Sequence, residues 1–551
     1  MSAARFNLSR WALEHQPLVR YLLVVLLLGG TLAYFKLGQD EDPPFTFRAM
    51  AIRLVWPGAS AEQVAEQVVD KLEKKLQEVP YVEKISSYSK PAEALILVQL
   101  RDSSPPKEVS NSWYQARKKI NDIRHTLPAG VQGPFFNDEF GDTFGTIYAI
   151  SADGFSLEEQ RRYAEFVRQQ MLRVPNVSKV DLFGVQEEKI YIEFSHRKFA
   201  QLGISFQNVM EQLNARNVVE SAGVLVTPSD NMQVRVTGQF FSIEDLKQLE
   251  LRTNGNTIKL DDFARIKRSY LDPPREKMRF NGKEVIGVGI SMSRGGDIIQ
   301  LGQAIQELSE HLKNQLPLGI ELHQVQNQPE SVSRSVNEFV RVLIEAVTIV
   351  LAVSFIALGL HTRPWRIDIW PGLVVGLTIP LVMAITFLFM SALDIGLHKI
   401  SLGALIIALG LLVDDAIIAV EMMVRKLEEG YSRFEAGTYV WDHTALPMLT
   451  GTLITAAGFL PVGLAKSAAG EYTFSIFAVT TIALVISWFA AVISTPYLGY
   501  WLLKTKSKIG QGESTHELFN TPFYTRFRAC VHWCVEYRKT VIAMTLSLIH
   551  I

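Results

Sequence analysis

Long apolar segments divide this chain into membrane and water-exposed parts. A helix needs about 20 mostly apolar residues to cross a bilayer. Six such segments are present: Leu18–Leu37, Phe339–Leu360, Pro371–Ser391, Leu402–Val424, Ala445–Ala465 and Phe474–Leu503. Roughly 300 residues separate the first segment from the second, and the last five follow in quick succession. The pattern predicts an α+β membrane protein, in which a transmembrane helix bundle carries a large water-exposed insert.

The distribution of lysine and arginine predicts the orientation of this bundle. The first segment is too long for a cleavable signal, and QDEDPPF follows it without a small-residue cleavage site. A retained anchor with its N-terminus inside places on the cytoplasmic side the loops with Arg363/Arg366, Arg425/Lys426/Arg433 and Lys504/Lys506/Lys508. The short outer loops hold Lys399 and Lys466, so the positive-inside rule is obeyed. The insert, about residues 38–335, then lies on the far side of the membrane, which is the periplasm if the source is a Gram-negative bacterium.

Composition narrows the function classes further. The 551 residues are 48% hydrophobic and 20% charged, with a net charge of −1. A neutral chain has no global basic field for nucleic acid, so no nucleic-acid partner is expected. Two cysteines, Cys530 and Cys534, exclude a disulfide framework. No G-x-x-x-x-G-K-[ST] loop is present, so ATP-driven transport is unsupported and no cofactor is expected.

The insert contains an internal repeat. Ser60 with Gln63, and Ser156 with Glu159, form two predicted capping boxes. Each opens an apolar helical stripe that ends in V-P-x-V-x-K, at Val79–Ile85 and Val174–Val180. The repeat predicts two β-α-β units, followed by a mixed portion over Glu187–Arg268. Duplication of a stable fold would explain it equally well, so the repeat states no function.

Carboxylates inside an apolar segment are the sharpest chemical signal. Asp414 and Asp415 lie near the middle of the fourth segment, in GLLVDDAIIAVE. Glu421 shares a helix face with Asp414 and is a candidate secondary intramembrane carboxylate; the alternative is that it reaches water, since it lies nearer the cytoplasmic end. Ionised carboxylates in hydrocarbon cost several kcal/mol each, so at least one is expected to take up a proton. Such a pair suits coupling to a proton gradient. A static buried charge network is the alternative.

Other candidate residues carry weaker signals. Glu345 has Arg341 one turn before it in the second segment, and we interpret the two as a structural ion pair, with Glu345 a secondary intramembrane carboxylate. Cys530, His532 and Cys534 make a poor zinc site, so no metal is expected. A group of aromatic residues flanks strands of the insert and either fills the core or lines an apolar pocket: Phe135, Phe136, Phe144, Tyr148 and Phe183.

Several stretches together resemble the resistance-nodulation-division (RND) transporters, most closely the hydrophobe/amphiphile efflux branch of AcrB-type multidrug pumps. These stretches are WPGAS (56–60), VDLFGVQ (180–186), FNGKEVIGVGISMSRGG (280–296) and GLLVDDAIIAVE (410–421). The order of one anchor, a large insert and five clustered spans matches as well, and the resemblance covers nearly the whole chain.

The resemblance implies a proton antiporter of the inner membrane, driven by the proton-motive force without ATP. It implies a homotrimer that passes amphiphilic substrates to a periplasmic adaptor and an outer-membrane channel. Asp414 and Asp415 match the family's proton relay, Phe183 matches a pocket phenylalanine, and Phe144 matches another by weaker local similarity. Phe136 and Tyr148 are further pocket candidates.

The resemblance also implies ferredoxin-like porter and docking subdomains in the insert. The expected segments are 1–37 for the N-terminus and first span, 38–136 for the first porter subdomain, 137–186 with 275–335 for the second, 187–274 for docking, 336–503 for spans two to six, 504–538 for a cytoplasmic linker and 539–551 for a truncated seventh span.

Departures from the family qualify this expectation. The family is about twice as long and uses a relay lysine from a later helix, so this chain alone is not expected to transport. Residues 546–551, LSLIHI, are what the end of a common transposase library adaptor encodes, which suggests an assembly artefact; an ordinary apolar run is the alternative. Two other functions stay open: heavy-metal cation efflux, and a half-transporter or export factor on the same scaffold.

Overall fold

The computed structural model of the chain describes residues 6–139, 143–203, 205–216, 219–228, 230–237, 240, 242–253, 256–362, 365–367, 369–504 and 522–548. Residues 505–521 of the predicted linker and residues 549–551 of the predicted terminal span lie outside the described residues. The predicted docking segment also has several short gaps in the description. The chain forms two units, each described by itself below. The first comprises Met1–Thr143, Ser293–Leu301 and Gln328–Ile551, and the second Phe144–Met292 and Gly302–Asn327.

The first unit begins with two helices. They are followed by a small α/β layer over Ala49–Asn137, which we call the N-terminal module. The helices are α1 (Leu8–Glu14) and α2 (Gln16–Lys36). The module contains β1 (Ala49–Val55), α3 (Ala61–Val64), α4 (Asp70–Leu76), β2 (Val82–Lys90), β3 (Glu93–Leu100), α5 (Pro106–Asp122) and β4 (Gln132–Asn137). A π-helical turn at Ala65–Val69 joins α3 to α4, and a 3-10 turn at Arg124–Thr126 follows α5.

The N-terminal module is an antiparallel sheet with helices on one face. Its strand order is β2-β3-β1-β4, with β1 between β3 and β4. Alternate residues of β1, namely Met50, Ile52 and Leu54, are buried because a strand presents every second side chain to the same face. They pack with Leu72 of α4 and Trp113 of α5 in one apolar core. The predicted capping box at the start of α3 is confirmed.

The second unit runs from β5 to β15, apart from Ser293–Leu301 with the first turn of α11, and contains mostly short strands. In chain order these are β5 (Phe144–Ala152), α6 (Leu157–Met171), β6 (Val177–Phe183), β7 (Glu188–Phe194), α7 (His196–Leu202), α8 (Phe206–Arg216), β8 (Val219–Val226), β9 (Asn231–Thr237), α9 (Ile243–Lys247), β10 (Glu250–Thr253), β11 (Asn256–Lys259), α10 (Leu260–Phe263), β12 (Ala264–Tyr270), β13 (Met278–Phe280), β14 (Lys283–Met292), α11 (Ile298–Gln315) and β15 (Ile320–Asn327). The predicted capping box at Ser156 and Glu159 opens α6, as expected.

The main sheet of the second unit repeats the connectivity of the N-terminal module. Its strands lie in the order β6-β14-β5-β15, all antiparallel, and β13 adds a short edge beside β14. In chain order the main elements are β5-α6-β6-β14-α11-β15, which is the same β-α-β-β-α-β sequence as in the module. The elements from β7 to β13 are inserted between its second and third main strands. Within the insertion β7 pairs with β12, β8 with β9, and β10 with β11.

The rest of the first unit is mainly helical. It comprises α12 (Gln328–Gly359), β16 (Leu360–Thr362), β17 (Trp365–Ile367), α13 (Trp370–Ala392), α14 (Lys399–Glu428), α15 (Arg433–Val440), α16 (Leu446–Gly458), α17 (Leu460–Gly463), α18 (Ala468–Phe489), α19 (Thr495–Leu502), α20 (Pro522–Glu536) and α21 (Arg538–Leu548). π-helical turns at Trp441–Ala445 and Ala490–Ser494 lead into α16 and join α18 to α19.

Several of these helices suit a membrane by length and composition. Among the described residues, four are long and apolar enough to cross a bilayer: Gln16–Lys36, Trp370–Ala392, Lys399–Glu428 and Ala468–Leu502. The predicted segment 339–360 forms most of the longer α12, while 445–465 is divided at Phe459 into α16 and α17. Pro461 lacks the N–H that a continuous helix would use, which accounts for the division.

A glycine allows α2 to approach α13 closely. A Cβ on Gly30 would lie 2.0 Å from the carbonyl oxygen of Ala384, whereas one on Gly29 would meet only Leu388 Cδ1 at 4.0 Å. Gly30→Ala should therefore force the two helices apart and destabilise the protein by about 1–3 kcal/mol, the usual cost of overpacking. Gly29→Ala makes the same change in helix propensity and should be tolerated. Thermal melting of the two purified variants in detergent checks this, and equal melting temperatures would contradict the close contact.

Candidate functional site

The predicted carboxylate pair lies halfway along α14. His398 caps the helix: its Nδ1 accepts a hydrogen bond from the backbone N–H of Ser401 at 3.2 Å. Arg425 and Lys426 occupy the last turn, where cations favour the negative end of the helix dipole. Sixteen residues separate Asp415 from Lys399, so by the rise of an α-helix the carboxylate lies about 24 Å from the first turn.

Asp415 faces the helix bundle and has a defined partner. It is half-buried, and its Oδ2 accepts a hydrogen bond from the Thr452 hydroxyl of α16 at 3.2 Å. The same hydroxyl lies 2.9 Å from the carbonyl oxygen of Met448, one turn earlier in α16. A hydroxyl has one hydrogen to donate, so Thr452 can serve one of these acceptors at a time. Thr452 can donate to an ionised Asp415, or accept from a protonated Asp415 while donating to Met448.

Asp414 and Glu421 lie on a different side of α14 from Asp415 and are exposed in this chain. Two glycines accompany them on that side: a Cβ on Gly403 or Gly410 would meet no atom of the described residues within 4 Å. The described ion pairs of α14 lie at its two ends, where Lys399 pairs with Glu41, and Arg425 and Lys426 pair with Glu429. The structure thus gives the predicted pair different surroundings.

A second helix, α18, holds the turn of α14 that precedes the carboxylates. The Ser487 hydroxyl of α18 donates to the carbonyl oxygen of Leu412 at 2.7 Å, and both groups are buried. Nearby, the Trp488 indole N–H donates to the carbonyl oxygen of Ala445 at 2.8 Å. Hydrogen bonds inside an apolar bundle fix helix register, because an unmatched polar group there is costly. A displacement of α18 would therefore move the turn that carries Asp415.

The N-terminal ends of α14 and α18 meet at His398. Its ring is 4% exposed and its Nε2 lies 3.3 Å from the Ser475 hydroxyl of α18. Burial lowers the pKa of His398 to about 4, and the opposing influence of the Asp42 carboxylate is smaller. His398 is therefore a neutral cap near pH 7, with both ring nitrogens engaged in the helix ends.

Glu345 pairs with Arg341 on α12, as the sequence predicted. Arg341 Nε lies 2.8 Å from Glu345 Oε1, and the two side chains are 80% and 56% exposed. An exposed pair one helical turn apart contributes little to stability, because solvent screens its charges. Nothing in this pair resembles the half-buried carboxylate of Asp415.

In the second unit, Phe183 and Phe144 form an aromatic pair over the main sheet. Their rings meet edge to face with centroids 5.1 Å apart, and both side chains are half-buried. The two rings lie over Gly289 of β14, where a Cβ would come within 2.5 Å of Phe183 and 2.9 Å of Phe144. The missing side chain at Gly289 is what makes room for the pair. The sequence predicted both residues as pocket candidates, and the structure brings these two together.

Tyr148 and Phe136 lie elsewhere. Tyr148 is opposite Val288 on β14, whereas Phe183 is opposite Gly287, so the two aromatic side chains project from opposite faces of the sheet. Tyr148 is 4% exposed, and its burial raises the pKa of its phenol. Phe136 belongs to the N-terminal module, where it packs against the apolar core with the Arg117 guanidinium 5.4 Å from its ring centre.

The C-terminal cysteines do not assemble a site in the described part of the chain. Cys530 is exposed, Cys534 is half-buried, and His532 lies 3.7 Å from Glu536. No group of three His, Cys, Asp or Glu side chains suited to a metal ion occurs among the described residues.

Thr452 and Ser487 are site residues that the sequence reasoning missed. Hydroxyl residues are common in membrane helices, where they often bond to the carbonyl four residues earlier. Thr444, Thr450 and Thr455 do so here. The helical spacing of these hydroxyl residues could have indicated a polar helix face that packs toward Asp415. Nothing in the sequence, however, pairs Thr452 with Asp415.

Comparison with known proteins identifies the family of this chain. The sequence model of the AcrB/AcrD/AcrF family matches residues 8–551. An uncharacterised transporter of Haemophilus influenzae is 26% identical over 497 residues, which are 88% of this chain and 46% of that protein. The multidrug resistance protein MdtC of Yersinia pseudotuberculosis is 25% identical over 535 residues, 96% of this chain and 51% of MdtC. MdtC of Escherichia coli is 25% identical over 495 residues, 89% of this chain and 47% of MdtC.

The chain spans about half the length of the curated relatives that it matches. The family match, by contrast, covers nearly all of this chain and includes the N-terminal module, the second unit and the helix with the paired carboxylates. The apolar helices described above agree with a membrane protein. The chain belongs to the AcrB/AcrD/AcrF family of RND transporters, which is the family that its motifs predicted.

Proposed function

We propose that the protein exports amphiphilic compounds in exchange for protons across the inner membrane of a Gram-negative bacterium. The observation that carries the proposal is Asp415, a half-buried carboxylate at the centre of an apolar helix with a hydroxyl partner from a neighbouring helix. Relatives named multidrug resistance proteins support export of drug-like compounds. Because the chain covers about half of those relatives, the activity belongs to the whole protein.

Proton uptake and release at Asp415 would drive the cycle. In the ionised state the carboxylate accepts the Thr452 hydrogen bond; after protonation it becomes a donor, and Thr452 turns its hydrogen toward Met448. The exposed Asp414 supplies the second carboxylate of the relay, on the side of α14 where Gly403 and Gly410 meet no neighbour among the described residues. The proton-motive force is sufficient for this chemistry, and ATP has no role in it.

The insert would form the periplasmic part of the pump. The shared strand order of the N-terminal module and the second unit supports two ferredoxin-like porter subdomains, since split β-α-β folds have this element order. The strands β7 to β12 would supply the docking subdomain. We further propose, from family membership, a homotrimer that contacts a periplasmic adaptor and an outer-membrane channel.

The substrate would contact the aromatic pair of the second unit. Apolar pockets for drug-sized ligands are lined mainly by hydrophobic and aromatic side chains. Phe183 and Phe144 are half-buried rather than part of a closed core, so their ring edges can face a ligand. Phe136 and Tyr148 are weaker candidates, because Phe136 packs against the core of the N-terminal module and Tyr148 is almost fully buried.

Transport in everted membrane vesicles tests the function. The complete gene is expressed in a host that lacks its own multidrug pumps, and an acid-interior gradient is imposed without ATP. Amphiphilic fluorescent dyes should accumulate inside the vesicles, and a protonophore should abolish the accumulation. Uptake of a monovalent or divalent soft metal ion without uptake of any dye would favour heavy-metal efflux. Proton-gradient dissipation with neither class of substrate would favour an export factor.

A further inference from the structure

The segment Gly38–Arg48, which we call the strap, ties two membrane helices to the N-terminal module. It follows α2 directly and leads into β1, the strand between β3 and β4. At its start, Gly38 O accepts from the backbone N–H of Leu397 at 2.8 Å, and the N–H of Asp40 donates to Leu397 O at 3.0 Å. These bonds form a short parallel bridge to the residues just before α14.

Acidic side chains of the strap reach the first turns of both helices. Glu41 pairs with Lys399, the first residue of α14, and its carbonyl oxygen accepts from the Lys399 backbone N–H at 3.1 Å. Asp42 accepts a hydrogen bond of 2.6 Å from the Tyr472 hydroxyl of α18. The Lys399 ammonium holds the pKa of Glu41 below its usual range, so this carboxylate stays ionised at neutral pH.

The firmest connection is an ion pair between Arg48 and Glu471. The Arg48 guanidinium contacts the Glu471 carboxylate of α18, and the side chains are 5% and 21% exposed. Glu471 also accepts from the Thr46 backbone N–H at 3.0 Å. On its other side Arg48 donates to the carbonyl oxygen of Ser104 at 2.9 Å, in the loop after β3. One side chain thus joins the end of a membrane helix to the loop after β3 of the module.

The backbone continues this connection into the sheet. The carbonyl oxygen of Arg48 accepts from the N–H of Leu100 at 2.9 Å, which extends the pairing of β1 with β3 by one residue. At the opposite end of α18, Ser487 holds the turn of α14 before Asp414 and Asp415. A displacement of α18 would therefore move both the turn of α14 with the carboxylates and the sheet of the N-terminal module.

We propose that the Arg48–Glu471 ion pair is a positioning contact that transmits movement of α14 and α18 to β1 and β3 of the N-terminal module. The inference rests on the proposed proton-driven function, because it concerns how that function moves the module. A buried ion pair is not needed for stability, since replacing both partners by neutral residues is often harmless whereas removing one strands a buried charge. The difference between single and double replacement therefore distinguishes an ion pair that transmits movement from one that only stabilises the fold.

Variants of the complete protein make this separation. Arg48→Met and Glu471→Gln singly should reduce the folded yield several-fold, because the first leaves the partly buried Glu471 carboxylate unpaired and the second leaves the buried Arg48 guanidinium unpaired. The double variant R48M/E471Q should recover the wild-type yield. Per folded molecule it should still transport dye at a tenth of the wild-type rate or less, with equilibrium dye binding within twofold of wild type. The matched control is R53M/E93Q, which removes the Arg53–Glu93 pair (2.5 Å) inside the module and should keep wild-type transport.

A readout that needs no transport completes the test. Asparagine at position 415 imitates the protonated acid, so Asp415→Asn should change deuterium uptake of peptides covering β1 and β3 by at least twofold. In R48M/E471Q the same substitution should leave their uptake unchanged.

Wild-type transport by R48M/E471Q would overturn the inference. It would also be overturned if Asp415→Asn left deuterium uptake of β1 unchanged in the otherwise wild-type protein, or if the change in uptake persisted in R48M/E471Q. Absence of dye transport by the wild-type protein would instead overturn the proposed function, and the deuterium uptake would still decide whether the pair transmits.

Discussion

Asp415→Asn should reduce proton-driven dye accumulation in everted vesicles to the level of vesicles without the protein. Asparagine has nearly the same shape as aspartate, and its carbonyl oxygen can accept the hydrogen bond from Thr452. It cannot take up or release a proton, so the carboxylate chemistry is lost while the packing is retained. Removing a partly buried charge from an apolar helix should not lower the amount of folded protein.

The control for this substitution lies at the C-terminal end of the same helix. Glu429 caps α14 and pairs with Lys426 at 2.6 Å and with Arg425 at 3.2 Å, away from the centre of the helix. Glu429→Gln makes the same carboxylate-to-amide change and should leave most of the accumulation intact. Accumulation at the wild-type rate by Asp415→Asn would remove this residue from the relay and return the carboxylate to a static role in helix packing.

The repeat in the insert shows how far local sequence predicts this fold. Ser60 and Ser156 predicted two helix starts with capping boxes, and both are present because the caps depend on residues three positions apart. The strand order depends instead on long-range pairing. Gly287 of β14 lies opposite Phe183 of β6, about 100 residues earlier in the chain, and no local pattern specifies that register.

The candidate site likewise has one feature that the local sequence predicts and another that depends on long-range packing. The sequence identified Asp414 and Asp415 because a charge in an apolar segment is conspicuous by itself. It could not distinguish them, because burial of Asp415 depends on α16 and α18, which follow later in the chain. The strap makes contacts that no sequence pattern predicted. In the sequence QDEDPPF was informative only because it lacks a cleavage site, yet Glu41 and Asp42 bind the first turns of two membrane helices.

Phe183→Ala should change which compounds the pump exports without preventing its assembly. An aromatic pair contributes about 0.5–1.5 kcal/mol beyond its buried area. A ligand that stacks on Phe183 would lose a contact of that size, and its affinity would fall about 2- to 12-fold. Compounds that do not reach the ring should be unaffected, so the effect should differ from one compound to another. Minimum inhibitory concentrations for a panel of dyes and drugs, in a host without other pumps, give the profile.

Phe155 offers a matched control in the same unit. It is half-buried, and its ring meets that of Tyr163 edge to face at 5.9 Å, so Phe155→Ala removes an equivalent aromatic pair. If Phe183 contacts substrate, Phe183→Ala alters the profile while Phe155→Ala leaves it in wild-type order. A uniform decrease for all compounds in both variants would indicate loss of folded protein. An unchanged profile for Phe183→Ala would make Phe183 a packing residue, held over Gly289 only to cover the sheet.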